Sequence, residues 1–148
     1  SRALTAATTA YPDHVDSRAP VYAGYSQGAS MGAMMLPTHP ARFARAALVE
    51  GGVGEHQEWN IAAAKRFAAN GAERVLLICG RSICRDHART TASYLERGGL
   101  ASRFLDAPGA GHTYGGAVAE QMRAGFAWLV EGDARWGESA TSAQVDDR

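Results

Sequence analysis

The sequence predicts an α/β fold with three layers, in which a mostly parallel sheet lies between helices on both of its faces. Short apolar runs alternate along the chain with segments whose apolar residues recur at helical spacing. The run at residues 74–79 (RVLLIC) is almost continuously apolar, which is typical of a parallel strand buried on both faces. This alternation of strands and helices is the pattern of α/β/α architecture.

The first part of the chain predicts helix, strand, helix and strand in that order. Apolar residues at helical spacing between Leu4 and Tyr11 predict a short helix that ends before Pro12. The elements that follow are a strand at 19–25 (APVYAGY), a helix at 27–36 (QGASMGAMML) and a strand at 46–50 (AALVE). Gly51 and Gly52 then mark the end of the second strand.

Three helices and two strands complete the predicted pattern. The helices fall at 57–70, 86–97 and 118–129, and the strands at 74–79 and 102–107. Glycines follow the first two of these helices, as expected of helix C-termini. We therefore predict one α/β domain over residues 1–131. The polar stretch after it has little to bury, so residues 132–148 are expected to form a flexible tail.

Charge and composition exclude several classes of partner. Lys plus Arg and Asp plus Glu both number 15 among 148 residues, and neither sign forms a long block. No nucleic acid and no membrane is therefore expected as a partner, and a small, roughly neutral substrate is favoured. The sequence contains no phosphate-binding loop, dinucleotide fingerprint or metal-ligand cluster, so we expect no cofactor and no metal.

Two cysteines, Cys79 and Cys84, lie five residues apart at the end of a predicted strand. Their spacing is compatible with a local disulfide and equally with two reduced, partly buried thiols. A zinc site is not predicted, because no second pair of Cys or His lies nearby.

A candidate nucleophile lies between the first predicted strand and the helix after it. Residues 24–28 read GYSQG and match G-x-S-x-G, the nucleophile elbow, in which a sharp strand-to-helix turn exposes the serine hydroxyl. The position between strand and helix is the one that this turn requires, and it makes Ser26 the candidate nucleophile. The alternative is that Ser26 only caps the helix and that the glycines serve an ordinary turn.

A serine hydroxyl needs a base within hydrogen-bond reach, and His112 is the best candidate. It lies in the glycine-rich segment GAGHTYGG after the last predicted strand, at the end of the sheet where α/β sites are built. The other four histidines, at 14, 39, 56 and 87, are expected to be solvated surface residues. Tyr25 lies next to Ser26 in the sequence, and Tyr114 lies close to His112. These two tyrosines and Trp59 are expected either to line an apolar cleft or to belong to the core.

With GYSQG, the later strand ending in ICG and the final GAGHTY, the chain resembles the C-terminal portion of the α/β-hydrolase superfamily over about residues 1–131. It is most similar to bacterial esterases of the dienelactone-hydrolase, carboxylesterase and polyhydroxybutyrate-depolymerase-like groups. The resemblance implies a serine hydrolase that cleaves small-molecule carboxylic esters. Ser26 is then the nucleophile, His112 the base, and the Gln27 amide one oxyanion-hole donor. A peptidase, a thioesterase and a non-catalytic hydrolase-like module are the alternatives.

The acid of the triad is the residue on which the sequence departs from the family pattern. The family position, about three residues after the glycine that ends the late strand, is occupied here by Ile83. Asp86 lies three residues further on, in a predicted first helical turn where the helix dipole already accounts for a carboxylate. Glu50 ends the strand after the nucleophile strand and is an equal candidate; Asp106, within or at the end of its strand, ranks below both.

The resemblance also implies that several family elements before the elbow are absent, because only 25 residues precede Ser26. The loop that supplies the second oxyanion amide would be among them, so we expect low activity from this chain by itself. The elbow strand would then have an open edge. An unpaired apolar edge strand predicts self-association of the chain.

Overall fold

The computed structural model describes residues 2–13, 18, 20–39, 42–54 and 57–136, with the side chains of residues 2 and 3 excepted. Strands and helices alternate along the chain. The strands are β1 (Val21–Tyr25), β2 (Arg45–Val49), β3 (Arg74–Cys79) and β4 (Ala101–Asp106). The helices are α1 (Arg2–Ala10), α2 (Gln27–Met35), α3 (Ile61–Ala69), α4 (Ser82–Arg97) and α5 (Gly116–Val130). Short 3-10 turns lie at Leu36–Thr38 and Ala134–Trp136.

The four strands of the described residues form one parallel sheet in the order β1-β2-β3-β4. Tyr25 pairs with Val49, which pairs in turn with Ile78. The residues that directly follow these three strands therefore lie close together, at the carboxyl end of the sheet. The predicted three-layer α/β/α fold with a parallel sheet is confirmed.

Alternate residues of the two central strands face opposite sides of the sheet, and both sides are buried. One core cluster contains Leu48 and Leu77 together with Phe67 of α3 and Leu95 of α4. The other contains residues of the opposite faces, such as Ile78, together with Val118 and Leu129 of α5. Burial on both faces explains why β2 and β3 read as continuous apolar runs.

The outer strands are less buried. In β1 the side chain of Ala23 is exposed, and in β4 Ala101 and Arg103 are exposed. β1 pairs with β2 on one side, and no strand of the described residues pairs with it on the other. The elbow strand thus lies at an edge of the sheet, as the sequence analysis expected.

The helices α3 and α4 each begin four residues away from the predicted start. α3 begins at Ile61 rather than at residue 57, because the Asn60 side chain accepts a hydrogen bond from the Ala63 N–H and caps the helix there. α4 begins at Ser82, four residues before the predicted start at 86. Its first turn carries Cys84, which is fully buried and forms a disulfide with Cys79. The disulfide alternative is therefore the one that the structure adopts.

The described part of the predicted tail packs on the domain. Asp133 forms an ion pair with the buried Arg45 at 3.0 Å, and the Trp136 ring contacts the Phe126 ring edge to face at 5.2 Å. Residues 137–148, the remainder of the predicted tail, lie outside the described residues. Among the residues that are described, no helix is long and apolar enough to cross a membrane.

Candidate active site

Three side chains from three separate strand ends meet at the carboxyl end of the sheet. Ser26 Oγ lies 2.8 Å from His112 Nε2, and His112 Nδ1 lies 3.3 Å from Glu50 Oε2. Ser26 directly follows β1, Glu50 directly follows β2, and His112 lies in the loop after β4. The result is a continuous chain of hydrogen bonds from hydroxyl to imidazole to carboxylate.

The backbone of Ser26 has the conformation of a sharp strand-to-helix turn. Its φ is 52° and its ψ is −121°, a backbone conformation that residues other than glycine rarely adopt. The Ser26 N–H donates to the Val49 carbonyl at 2.8 Å, which holds the turn against β2. The Ser26 hydroxyl makes no capping hydrogen bond to α2. The alternative in which Ser26 serves only as a helix cap therefore does not describe this turn.

Close backbone approach around Ser26 explains two of the nearby glycines. A Cβ atom on Gly24 would lie 2.8 Å from the Gly28 carbonyl oxygen, and one on Gly51 would overlap the carbonyl oxygen of Ser26. The Tyr22 hydroxyl donates to the same Gly28 carbonyl at 2.6 Å. Burial raises the pKa of Tyr22, which keeps its hydroxyl protonated as a donor. These contacts fix the start of α2 beneath the serine.

The Glu50 carboxylate is buried, with 1% of the residue exposed, and it accepts hydrogen bonds at both oxygens. Oε1 accepts from the N–H of Gly80 and from the N–H of Arg81 at 3.3 Å. Oε2 accepts from Arg81 Nε at 2.9 Å and faces His112. Leaving a buried carboxylate without partners costs several kcal/mol, about 3–5 kcal/mol in measured cases. The Gly80–Arg81 segment supplies those partners.

His112 is held by contacts on its backbone and on one ring face, while 39% of its side chain remains exposed. The Tyr25 hydroxyl donates to the His112 carbonyl at 3.0 Å, and the two rings lie 5.1 Å apart. Tyr114 packs edge to face on Tyr25 at 5.3 Å. When Nδ1 carries the proton and donates to Glu50, Nε2 is free to accept the Ser26 hydroxyl. This tautomer is the one that a general base at Ser26 requires.

The other sequence candidates for the acid lie elsewhere. Asp86 is exposed, with 67% of its side chain accessible, and it faces Arg85 at 3.8 Å and Arg89 at 3.9 Å. Asp106 pairs with Arg85 at 3.4 Å. Ile83, at the family position of the acid, is an exposed residue of α4. Of the two equal candidates, the structure brings Glu50 to His112 and places Asp86 on the surface of α4.

The Gln27 amide is the first N–H of α2. At this position a helical N–H has no intrahelical acceptor, and the positive end of the helix dipole lies beside it. The amide directly follows Ser26 in the chain, as the amide of an oxyanion-hole donor beside the nucleophile would. This is the position in which the sequence analysis placed one oxyanion donor.

The remaining histidines take no part in this cluster. His39 is exposed and lies 3.1 Å from the Thr38 hydroxyl, and His87 is a partly buried residue of α4. His14 and His56 lie outside the described residues. No group of three or more His, Cys, Asp or Glu side chains within the described ranges could hold a metal ion.

An apolar groove of about 460 Å³ lies between β1 and α5, next to the tyrosines that contact His112. Tyr25 and Tyr114 line it together with residues of the two elements, among them Val118 and Met122. Trp59 is instead a core residue, and its Nε1 donates to the Gly52 carbonyl at 3.0 Å. Of the three aromatics that the sequence left open, two therefore line a groove and one belongs to the core.

The contacts of Arg81 and Gly80 with the Glu50 carboxylate were not predicted from the sequence. The available signal was an arginine directly after the glycine that ends β3, next in the sheet to the strand that carries Glu50. Residues that follow neighbouring parallel strands lie close together at the carboxyl end of the sheet, where a cation after β3 can pair with the carboxylate after β2.

The chain matches no protein-family model, and no curated protein or solved structure is significantly similar to it. The chemistry of the site is therefore argued from its own geometry.

Proposed function

We propose that the protein is a serine hydrolase that cleaves carboxylic ester bonds, with Ser26 as nucleophile, His112 as general base and Glu50 as the acid that orients the imidazole. The observation that carries the proposal is the continuous chain from Ser26 Oγ to His112 Nε2 at 2.8 Å and from His112 Nδ1 to Glu50 Oε2 at 3.3 Å. The same arrangement of roles recurs on unrelated folds, so geometry supports it independently of sequence similarity.

In the first half of the reaction, Ser26 Oγ attacks the ester carbonyl while its proton passes to His112 Nε2. The carbonyl oxygen becomes negatively charged, and the Gln27 N–H stabilises it. The tetrahedral intermediate collapses as the bond to the leaving oxygen breaks, and that oxygen takes the proton from Nε2. The products of this step are an alcohol and an acyl group on Ser26.

In the second half, His112 Nε2 takes a proton from water, and the resulting hydroxide attacks the acyl carbonyl. Collapse of the second intermediate releases the carboxylic acid, and Ser26 Oγ recovers its proton from Nε2. Glu50 keeps its charge throughout and stabilises the imidazolium that forms twice in the cycle. No step requires a metal or a cofactor.

The strained backbone of Ser26 also favours this proposal. A left-handed φ in a non-glycine residue is costly and persists where surrounding structure imposes it, which is common at active sites. Together with the GYSQG motif, this turn supports a relationship to the α/β hydrolases. Within them, the bacterial esterase groups named above are the ones that the chain resembles most.

A fluorophosphonate probe and p-nitrophenyl esters of short acids test the proposal. We expect covalent labelling of one residue, mapped to Ser26 by peptide mass spectrometry, and a slow ester hydrolysis that Ser26→Ala abolishes. Ser102→Ala, a substitution in β4 away from the site, is the matched control and should keep both signals. Absence of labelling in a folded wild-type chain would exclude Ser26 as an activated nucleophile.

A further inference from the structure

The contacts of the Glu50 carboxylate are concentrated in one short segment of the chain. Besides His112, every hydrogen-bond donor described for its two oxygens belongs to Gly80 or Arg81. Arg81 contributes twice, through its backbone N–H to Oε1 and through its guanidinium Nε to Oε2. Apart from the imidazole, the partners of the carboxylate are thus Arg81 and its neighbour Gly80.

The Arg81 guanidinium donates to the same oxygen of Glu50 that faces His112. Oε2 accepts from Arg81 Nε at 2.9 Å and is also the oxygen that faces His112 Nδ1 at 3.3 Å. A glutamate side chain has three rotatable bonds, so its carboxylate does not keep one orientation unless partners fix it. Arg81 supplies a charged and directional partner, and its Nη2 also faces the Glu50 carbonyl at 3.4 Å.

Arg81 lies within the short loop that a disulfide closes. Arg81 precedes α4 with an extended backbone, φ −91° and ψ 147°, and its side chain makes no capping bond to that helix. Cys79 at the end of β3 and Cys84 in the first turn of α4 are covalently joined and fully buried. The covalent bond therefore closes a loop of which Gly80 and Arg81 form the part that faces Glu50.

We propose that Arg81 is a positioning residue of the triad, which holds the Glu50 carboxylate toward His112 from a loop that the Cys79–Cys84 disulfide closes. This inference rests on the proposed function, because it concerns the acid of that same triad. Arg81 acts through Glu50 and does not contact the reacting atoms.

The kinetic test compares Arg81→Met with Arg81→Lys and with the matched control Arg85→Met. Methionine keeps much of the side-chain volume and removes the charge and the donors. We expect Arg81→Met to lower kcat by about 10- to 100-fold with little change in KM, because outer partners that orient a functional group commonly contribute that much. Arg81→Lys restores part of kcat, since its ammonium supplies a charged donor. Arg85→Met, which removes a half-buried arginine of α4 that pairs with Asp106 and makes no contact with Glu50 among the described contacts, leaves kcat unchanged.

A second measurement follows the carboxylate without relying on turnover. The Nδ1 proton of His112, when it is hydrogen-bonded to Glu50, gives a downfield proton NMR resonance that Glu50→Gln assigns by its shift or loss. We expect Arg81→Met to shift or broaden this resonance and Arg81→Lys and Arg85→Met to preserve it. Replacement of both cysteines by alanine should change it in the same direction as Arg81→Met.

The two readouts separate failure of the inference from failure of the proposed function. Loss of the resonance in Arg81→Met, in a chain whose wild type hydrolyses no ester, would support the positioning role and contradict the hydrolase proposal. An active wild type whose kcat and resonance both survive Arg81→Met would overturn the positioning role alone. If Arg81→Met does not fold, the kcat of Arg81→Lys decides: a partial loss supports the inference, because the ammonium replaces only some of the contacts of the guanidinium, and a kcat equal to that of the wild type counts against it.

Discussion

Ser26 and Glu50 occupy equivalent positions in two neighbouring parallel strands. Each is the first residue after its strand, and each has a left-handed φ, 52° for Ser26 and 55° for Glu50. Each also donates its N–H to the last residues of the next strand, Ser26 to the Val49 carbonyl at 2.8 Å and Glu50 to the Ile78 carbonyl at 2.9 Å. The proposed nucleophile and the proposed acid therefore share the same backbone conformation and the same hydrogen bond to the neighbouring strand.

This equivalence predicts that Glu50 and not Asp86 serves His112. We expect Glu50→Gln to lower kcat by up to about 10,000-fold, as loss of the orienting acid does in a well-studied triad. Asp86→Asn changes an exposed carboxylate that faces the neighbouring Arg85 and Arg89, and it should leave kcat unaltered. Steady-state hydrolysis of p-nitrophenyl esters measures both. A large loss in Asp86→Asn with activity retained in Glu50→Gln would reverse the assignment.

The two glycines of the GYSQG motif are expected to differ in their tolerance of a side chain. A Cβ on Gly24 would lie 2.8–2.9 Å from backbone atoms of α2, whereas a Cβ on Gly28 meets no atom within 4 Å. Gly24→Ala should therefore lower the free energy of unfolding by about 1–3 kcal/mol, the usual effect of overpacking. Gly28→Ala should leave it unchanged or raise it by up to about 1 kcal/mol, since alanine favours a helix. Urea titration of both variants checks the contrast.

Asp133 makes the stability of the fold depend on pH in the acid range. Hydrogen bonds from Arg135 hold the pKa of Asp133 well below its usual value of 3.8, and the charges of Arg135 and Arg45 act in the same direction. A pKa lowered by folding adds stability that is fully present above the unfolded value and declines as pH falls below it. We expect Asp133→Asn to be less stable than wild type at pH 7, with the difference shrinking below about pH 4. Denaturation at a series of pH values measures it, and a constant difference would contradict the assignment.

The outer edge of β1 is predicted to mediate self-association. Its backbone groups on that side have no strand partner among the described residues, and α2, the helix that packs against β1, carries the exposed residues Met31 and Met34. We expect concentration-dependent association in sedimentation velocity. Ala23→Lys, which places a charge on the exposed strand, should shift the protein toward monomer.

The matched control for this edge is Ala101→Lys, which alters an exposed alanine of the other outer strand, β4. It should leave the association unchanged. A wild-type chain that stays monomeric over the accessible concentrations would contradict the prediction directly.

The architecture and two of the site residues could be predicted from the sequence. Continuous apolar runs identified the buried strands, because a parallel strand covered on both faces needs no polar alternation. Ser26 was recognised because its motif lies between a strand and a helix, and His112 because it follows the last strand in a glycine-rich loop. The structure brings these two side chains within hydrogen-bond distance, at 2.8 Å.

The acid could not be chosen from the sequence because both candidates have the right chemistry and lie near a strand end. The two candidates differ in the conformation of the backbone. Glu50 has a left-handed φ that turns its side chain toward His112, and no sequence pattern predicts a left-handed φ for a glutamate. The sequence predicts that α4 starts at Asp86, whose carboxylate the helix dipole would stabilise in a first turn. The disulfide and the burial of Cys84 instead extend the helix to Ser82.

Because Glu50 follows the strand adjacent to the nucleophile strand, the serine and the acid both belong to one local β-α-β unit, whereas His112 lies 62 residues beyond Glu50 in sequence. Units of neighbouring sequence assemble with a smaller loss of chain entropy than contacts between distant segments. A subglobal opening that detached β4 and α5 would therefore separate the base from the hydroxyl and the carboxylate. The docking of the C-terminal strand and helix is in this sense the event that completes the site.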